Sequence, residues 1–267
     1  MASNNENQQK RPAPKRPIKQ SNAVTMTLKV PCESSILHSY MERVQPLTLA
    51  MFERLGGLKR MLVKDRALSE MVNKWQVTNM KIAFEQLEEI RIRRETVILG
   101  GAPDMPQINV PETFGFIFEA SHPIVHDLVK LVAAINNELK ENEALYFAGA
   151  IDDVYFERLK TQTVYTLSGV TDRIAKATSP GKRQGDGKYA PEMLAKHIRD
   201  GFRLDFADVP SSFLSLVEEY EAETAAMKTL VNRSPAPEQV QEKVEEKINA
   251  KAKAKVKASA KAKAQVA

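Results

Sequence analysis

Val24-Thr25-Met26-Thr27-Leu28-Lys29-Val30 is the stretch whose reading decides the fold. Its alternation is strict: Val24, Met26, Leu28 and Val30 fall on one face of an extended chain, and Thr25, Thr27 and Lys29 on the other. A period of two with one apolar side predicts a half-buried strand whose other face meets solvent. Pro31 ends the strand. Glu33-Ser34-Ser35 then opens a helix, with Ile36, Leu37, Tyr40 and Val44 at helical spacing. Pro46 is expected to break that helix, leaving Leu47–Leu55 as a short second one before Gly56-Gly57.

Downstream the chain is dominated by helical periodicity. From Leu58 to about Leu99 one stripe carries Leu58, Met61, Leu62, Leu68, Met71, Val72 and Trp75. Val77, Met80, Phe84, Leu87, Ile90 and Ile92 continue it. Gly100-Gly101-Ala102-Pro103 stops the helix, and two strands are expected after it, Gln107–Val110 and Thr113–Glu119. The second should be buried on both faces. A helix opening at Ser121-His122-Pro123 follows, then one over roughly Asp152–Thr178. A loop at Ser179–Ala190, a short helix at Pro191–Arg199 and a last amphipathic helix at Ser211–Val231 complete the pattern. The fold class expected is mainly α with a few short strands. Residues 24–232 form the helical domain, with 24–56 as a ribbon-helix-helix-like unit. A basic arm (1–23) precedes it and a Lys/Ala-rich tail (233–267) follows, both too poor in apolar residues to fold.

Charge is unevenly spread along the 267 residues. The formal net charge is +5, from 39 basic and 34 acidic residues. Residues 1–19 hold five basic residues and one acid, and 251–267 hold six lysines and no acid. The middle is left with 28 basic and 33 acidic residues, a net of −5. All the positive excess therefore lies at the two ends, where it suits a polyanion through counterion release.

The chemistry of most enzyme classes is missing. Neither GxxxxGK[ST] nor GxGxxG occurs, so no backbone cradle for nucleotide phosphates is indicated. There is no GxSxG elbow. The one cysteine, Cys32, excludes an internal disulfide framework and reads as a small, semi-buried residue. His122 and His126 have the i, i+4 spacing of a metal pair, but the residues between them supply no general-base Glu, and no metal is expected. Asp152-Asp153 reads as a helix start complementing the macrodipole. Phe114, Phe116 and Phe118 have no interleaved Lys or Arg, so they read as buried sheet and not as a base-stacking platform. No clustered acid, base and nucleophile can be assembled, and neither enzyme activity, cofactor nor small-molecule substrate is expected. No apolar run reaches the ~20 residues of a membrane span, and the polar N-terminus lacks a signal-peptide core, so a cytoplasmic, non-membrane protein is expected.

The functional weight falls on the first strand. A two-stranded ribbon fits the major groove, and side chains on its outer face reach base edges. Thr25, Thr27 and Lys29 are the base-facing candidates, and Lys15, Arg16 and Lys19 in the arm ahead are the phosphate contacts. A ribbon-helix-helix unit builds its ribbon from the same strand of two chains, so double-stranded DNA and a second copy of the chain are the expected partners.

Residues 24–179 also carry an ordered set of features that resembles the AcaB-like transcriptional regulators of integrating conjugative elements and conjugative plasmids. They are the strand Thr25–Val30, Gly56-Gly57-Leu58-Lys59-Arg60, Glu85-Gln86-Leu87-Glu88-Glu89, Phe114-Gly115-Phe116-Ile117, Leu128-Val129 and Ser168-Gly169-Val170-Thr171. The long basic ends and the stretch Arg66–Trp75 depart from that pattern. The resemblance implies a DNA-binding regulator, or accessory factor, of conjugative-transfer genes. The alternative is a non-enzymatic helical scaffold of the transfer machinery.

Overall fold

The computed structural model of the chain describes residues 24–97, 106, 108–111, 113–181 and 189–233. In chain order its elements are β1 (Met26–Pro31), α1 (Ser35–Met61), α2 (Arg66–Val97), β2 (Gly115–Ala120), α3 (Val125–Phe147), α4 (Asp153–Ala177), α5 (Pro191–Arg199), a 3₁₀ turn at Ser211–Phe213, and α6 (Leu214–Arg233). The architecture is mainly helical with one small antiparallel sheet, as the periodicity predicts.

The first helix departs from expectation. α1 is continuous through Pro46, so the break and the second short helix do not exist. A proline removes one backbone hydrogen bond, here the one that Glu42's carbonyl would accept. Both Glu42 and Pro46 are exposed, so water can satisfy that carbonyl. On the opposite side Leu37, Met41, Met51, Phe52 and Leu55 form one buried seam running past the proline. At about 1.5–3 kcal/mol per buried apolar side chain, that seam outweighs the local cost. Gly56-Gly57 is likewise not a break but a notch inside α1. A Cβ on Gly56 would stand 2.6 Å from Cγ of His122, and one on Gly57 would stand 3.0 Å from Cγ of Pro191. The two glycines let the turn before α3 and the start of α5 press against the helix backbone.

The ribbon-helix-helix unit is therefore not formed. A single 27-residue helix follows β1, and β1 pairs within its own chain. Its partner is β2, antiparallel, in the register Met26↔Ala120, Leu28↔Phe118 and Val30↔Phe116. β2 is not buried on both faces. Phe116, Phe118 and Ala120 point inward while Gly115, Ile117 and Glu119 are exposed. No strand forms at residues 108–110; Gln107 lies outside the described residues.

The sheet's inner face rests on the helices α1 and α3, and one contiguous core draws side chains from every helix. α2 contributes to two packed clusters from one broad side. Trp75 and Val72 enter the main core, while Ile82, two turns beyond Trp75 and on nearly the same side of the helix, packs with Phe213 and Leu216. The single stripe expected for α2 is not wholly buried: Val77 and Ile92 are 66% and 51% exposed. The pairs Lys74–Glu223 (2.8 Å) and Lys81–Glu219 (3.8 Å) tie α6 to α2. Ser121 does not cap α3; residues 121–124 form a turn, and α3 starts at Val125.

Candidate nucleic-acid interface

The β1–β2 ribbon is held by side chains on three sides. His38 of α1 stacks on Phe114 just before β2, with ring centroids 3.8 Å apart and planes 9° from parallel. Gln45 Nε2 donates to the carbonyl of Ile117 at 2.6 Å, covering part of the β2 edge. After β1, the Glu33 backbone N–H donates to Asn136 Oδ1 at 2.8 Å, and the Glu33 carboxylate pairs with Lys140.

The turn from β1 into α1 is locked by a buried carboxylate. Glu143 of α3, 3% exposed, accepts from Ser34 Oγ at 2.9 Å, Ser35 Oγ at 3.2 Å and the Ile36 N–H at 3.2 Å. Ser34 itself is the N-cap, its Oγ accepting from the Leu37 N–H. A negative charge against orphan N–H groups at a helix start is favourable on both hydrogen-bond and dipole grounds. Ribbon and helix are thereby set at one fixed angle.

The outer face presents Thr27, Lys29, Ile117 and Glu119, all exposed, with Thr25 exposed just before the strand. Thr27 lies opposite Glu119 and Lys29 opposite Ile117. Of the three predicted base-facing side chains, Thr27 and Lys29 thus share the ribbon's solvent face, and Thr25 is exposed just ahead of it. The structure also adds two residues that the sequence reading missed. Ile117 is an apolar side chain, 55% exposed, and Glu119 a carboxylate opposite in sign to Lys29. Their signal was present in the alternation of β2. Lys15, Arg16 and Lys19 lie outside the described residues.

The remaining candidates have other settings. Cys32 is buried, its thiol donates to the Ser34 carbonyl at 3.1 Å, and burial pushes its pKa up. His122 wedges against Gly56. Its desolvation, reinforced by Lys59 and Arg60, holds the imidazole below its usual pKa, and its Nδ1 accepts from the Ile124 N–H. His126 is exposed. Asp152 is the N-cap of α4 and accepts from the Tyr155 N–H at 2.7 Å. Among the described residues no group of three or more His, Cys, Asp or Glu is placed to hold a metal ion, and no helix is long and apolar enough to cross a membrane.

One buried ion cluster had no sequence signal. Arg94 of α2 meets two carboxylates of α3, Glu138 at 3.0 Å and Glu141 at 2.5 Å. Arg94 and Glu138 are nearly sealed from solvent, whereas Glu141 is exposed. Desolvation, opposed by Arg94 and assisted by Glu141, pushes Glu138 up to about 7.

No protein-family model and no curated protein matches this chain. Among solved structures, the chain is similar to selenomethionine-containing AcaB from uropathogenic E. coli. The two share 12% identity over 74% of this chain and 98% of that one, with a TM-score of 0.42.

Proposed function

We propose that this chain is a non-enzymatic, double-stranded-DNA-binding protein, acting as a regulator or accessory factor of a conjugative or integrative mobile element. The observation that carries the reading is the ribbon: two strands whose outer face offers Thr27 and Lys29 to solvent, with Thr25 exposed just ahead of it. A ribbon of this width enters the major groove. Threonine there offers a hydroxyl to base edges and a methyl to thymine, and lysine a donor to guanine. The arm residues Lys15, Arg16 and Lys19 lie 10, 9 and 6 positions ahead of Thr25, within reach of phosphates flanking a docked ribbon. The link to mobile elements is supported by the order of motifs between residues 24 and 179.

A homodimer is not needed to complete the ribbon, because β2 of the same chain supplies the second strand. Two copies would instead place two finished ribbons on DNA, in adjacent half-sites. The test is binding of the purified full chain to DNA from upstream of its own gene, against scrambled DNA, across a salt series. Thr25→Ala with Thr27→Ala should reduce discrimination by ~1–3 kcal/mol for each base edge no longer read, and leave the fold intact. Equal discrimination by the double variant would remove the ribbon as reader.

The scaffold reading draws on a different observation. Val77 and Ile92 stand exposed on α2, with Phe84 partly so, an apolar set suited to a protein partner. A chain acting only in that way shows no preference between the two DNAs.

A further inference from the structure

Away from the ribbon, on the other side of α1, a groove of about 470 Å³ runs between α1 and α4. Its walls carry Ser39, Tyr40 and Arg43 from α1 and Lys160, Thr161 and Tyr165 from α4, and no carboxylate lines it. Arg43 spends only its Nε, which donates to the Ser39 carbonyl at 3.3 Å; its terminal nitrogens have no partner among the described residues. Lys160 is paired with Glu157, one turn back on the same helix. Tyr165 is 66% exposed, a large ring left in water on α4, where Val154 in the first turn is exposed too. Tyr165 also borders a second groove on the far side of α4, about 300 Å³, lined by Gln86, Gln162 and Ser212 and by Glu89, whose charge is paired with Arg93, among others. The ring therefore stands on a ridge with a groove of mixed polar and apolar lining on each side.

That combination has a chemical meaning. Hydroxyls and unspent guanidinium nitrogens suit phosphate oxygens, and an exposed phenol ring suits the face of a nucleobase. Lys160 and Tyr165 are five residues apart on α4, about 7.5 Å along the axis, a separation suited to one phosphate and a neighbouring base. Bases in a duplex are already stacked and cannot lie on a side chain, whereas unpaired bases can. Two grooves that both border the ring leave room for a strand on either side of a stacked base. We propose that the α1–α4 groove binds single-stranded nucleic acid, with Tyr165 stacking a base and Arg43 and Lys160 holding phosphates. This site is separate from the ribbon and does not rest on the ribbon's reading of duplex DNA.

The test is fluorescence anisotropy of a labelled twelve-residue oligothymidylate with the full-length protein over a salt series. Tyr165→Ala should weaken binding at least about fivefold without changing the salt slope, because stacking releases no counterions. Tyr165→Trp should retain the affinity. Arg43→Ala with Lys160→Ala should weaken binding and flatten the slope by ~0.7 for each phosphate no longer neutralised. Glu157→Gln, which frees Lys160, should tighten binding. Thr27→Ala with Lys29→Ala should leave oligothymidylate binding unchanged while reducing duplex discrimination, so the two sites fail independently. The proposal is overturned if Tyr165→Ala binds as wild type, or if both sets of cation and ring variants keep wild-type affinity and slope because the basic ends do all the binding. Displacement of the oligonucleotide by thymidine monophosphate at comparable concentration overturns the strand reading in favour of a mononucleotide pocket.

Discussion

Replacing Glu138 with glutamine should make the protein more stable at pH 8 and change its stability by less than about 1 kcal/mol at pH 5. Glu138 sits between helices α2 and α3, its side chain 8% exposed, sharing Arg94 with the better-hydrated Glu141. One cation between two carboxylates leaves a buried excess of negative charge, and Glu138, the drier of the two, takes up a proton at about 7. In the unfolded chain the same group titrates near its ordinary value of 4.5. Between those values the native state holds a proton that the unfolded state has released, so stability falls as pH rises through the window. Below 4.5 both states are protonated and the penalty vanishes. Above 7 it is complete and no longer changes.

At 1.36 kcal/mol per pH unit the full penalty is about 3 kcal/mol. The attraction of Arg94 is already inside that figure, since it is among the causes that set the native value. Glutamine copies the protonated form, and Arg94 keeps Glu141 as its partner. Desolvation therefore wins over the ion pair in this comparison. Urea unfolding followed by circular dichroism at pH 5, 6, 7 and 8 should give a wild-type stability that drops across the series. The Glu138→Gln curve should stay flatter and lie up to about 3 kcal/mol higher at pH 8, about 6–12 °C in midpoint for a domain of this size. Parallel curves, or a less stable variant at pH 8, would show that Glu138 is ionised throughout and that the pair is net favourable.

Glu143→Ala should cost about 3 kcal/mol, because it leaves the buried Ser34 hydroxyl and the first N–H groups of α1 without their charged acceptor; a loss under ~1 kcal/mol in denaturant unfolding would refute the cap. Gly56→Ala should destabilise by about 1–2 kcal/mol despite the better helix propensity of alanine, since the new methyl meets the His122 ring base at 2.6 Å. Gly57→Ala, facing Pro191 at 3.0 Å, should cost less than half as much, and equal losses would mean that the notch is not what these glycines provide. Deleting residues 251–267 should weaken binding to every duplex about equally and flatten the salt slope by ~0.9 for each phosphate left unneutralised, while the preference for target DNA survives. An unchanged slope in anisotropy titrations would assign those six lysines another role.

The parts of the fold that were legible in sequence are those with a local cause. The alternation of residues 26–30 shows both the strand and its wet face, because a period of two assigns Thr27 and Lys29 without knowledge of the partner; Val24, expected on the apolar face, lies ahead of β1 and is 93% exposed. The helix at 153–177 follows from its Asp152 cap and apolar spacing, and that at 191–199 from Pro191 in its first turn and its apolar spacing. What escaped was decided by distant neighbours. β1 and β2 lie about ninety residues apart, so nothing local shows that Lys29 faces Ile117 and Thr27 faces Glu119. Pro46 reads as a stop because its cost is local, whereas the seam that overrules it is built by packing from other helices. The Gly56-Gly57 pair reads as a break for the same reason, until His122 and Pro191 arrive to fill the space. The α1–α4 groove joins residues more than a hundred positions apart, and its members are ordinary one by one.

If the ribbon binds DNA as proposed, the pairing of β1 with β2 in one chain changes what it can contribute. A ribbon shared between two copies carries the two-fold symmetry of the dimer and demands a matching palindrome. A single-chain ribbon has no such axis, and its outer face is chemically uneven: Thr27 beside Glu119 at one end, Lys29 beside Ile117 at the other. Lys29 and Glu119 cancel, so the face adds little to the attraction for phosphate. Glu119 also disfavours any docking that brings it near the backbone. It is tolerable only deep in the groove, where a carboxylate accepts from the amino group of cytosine. Affinity then has to come from elsewhere, and the positive excess at the two ends of the chain is where it is available. Glu119→Gln separates the two contributions. If the carboxylate reads a base, the variant loses discrimination while binding all duplexes at least as tightly. If it only opposes the backbone, the variant tightens on every sequence and discriminates as before.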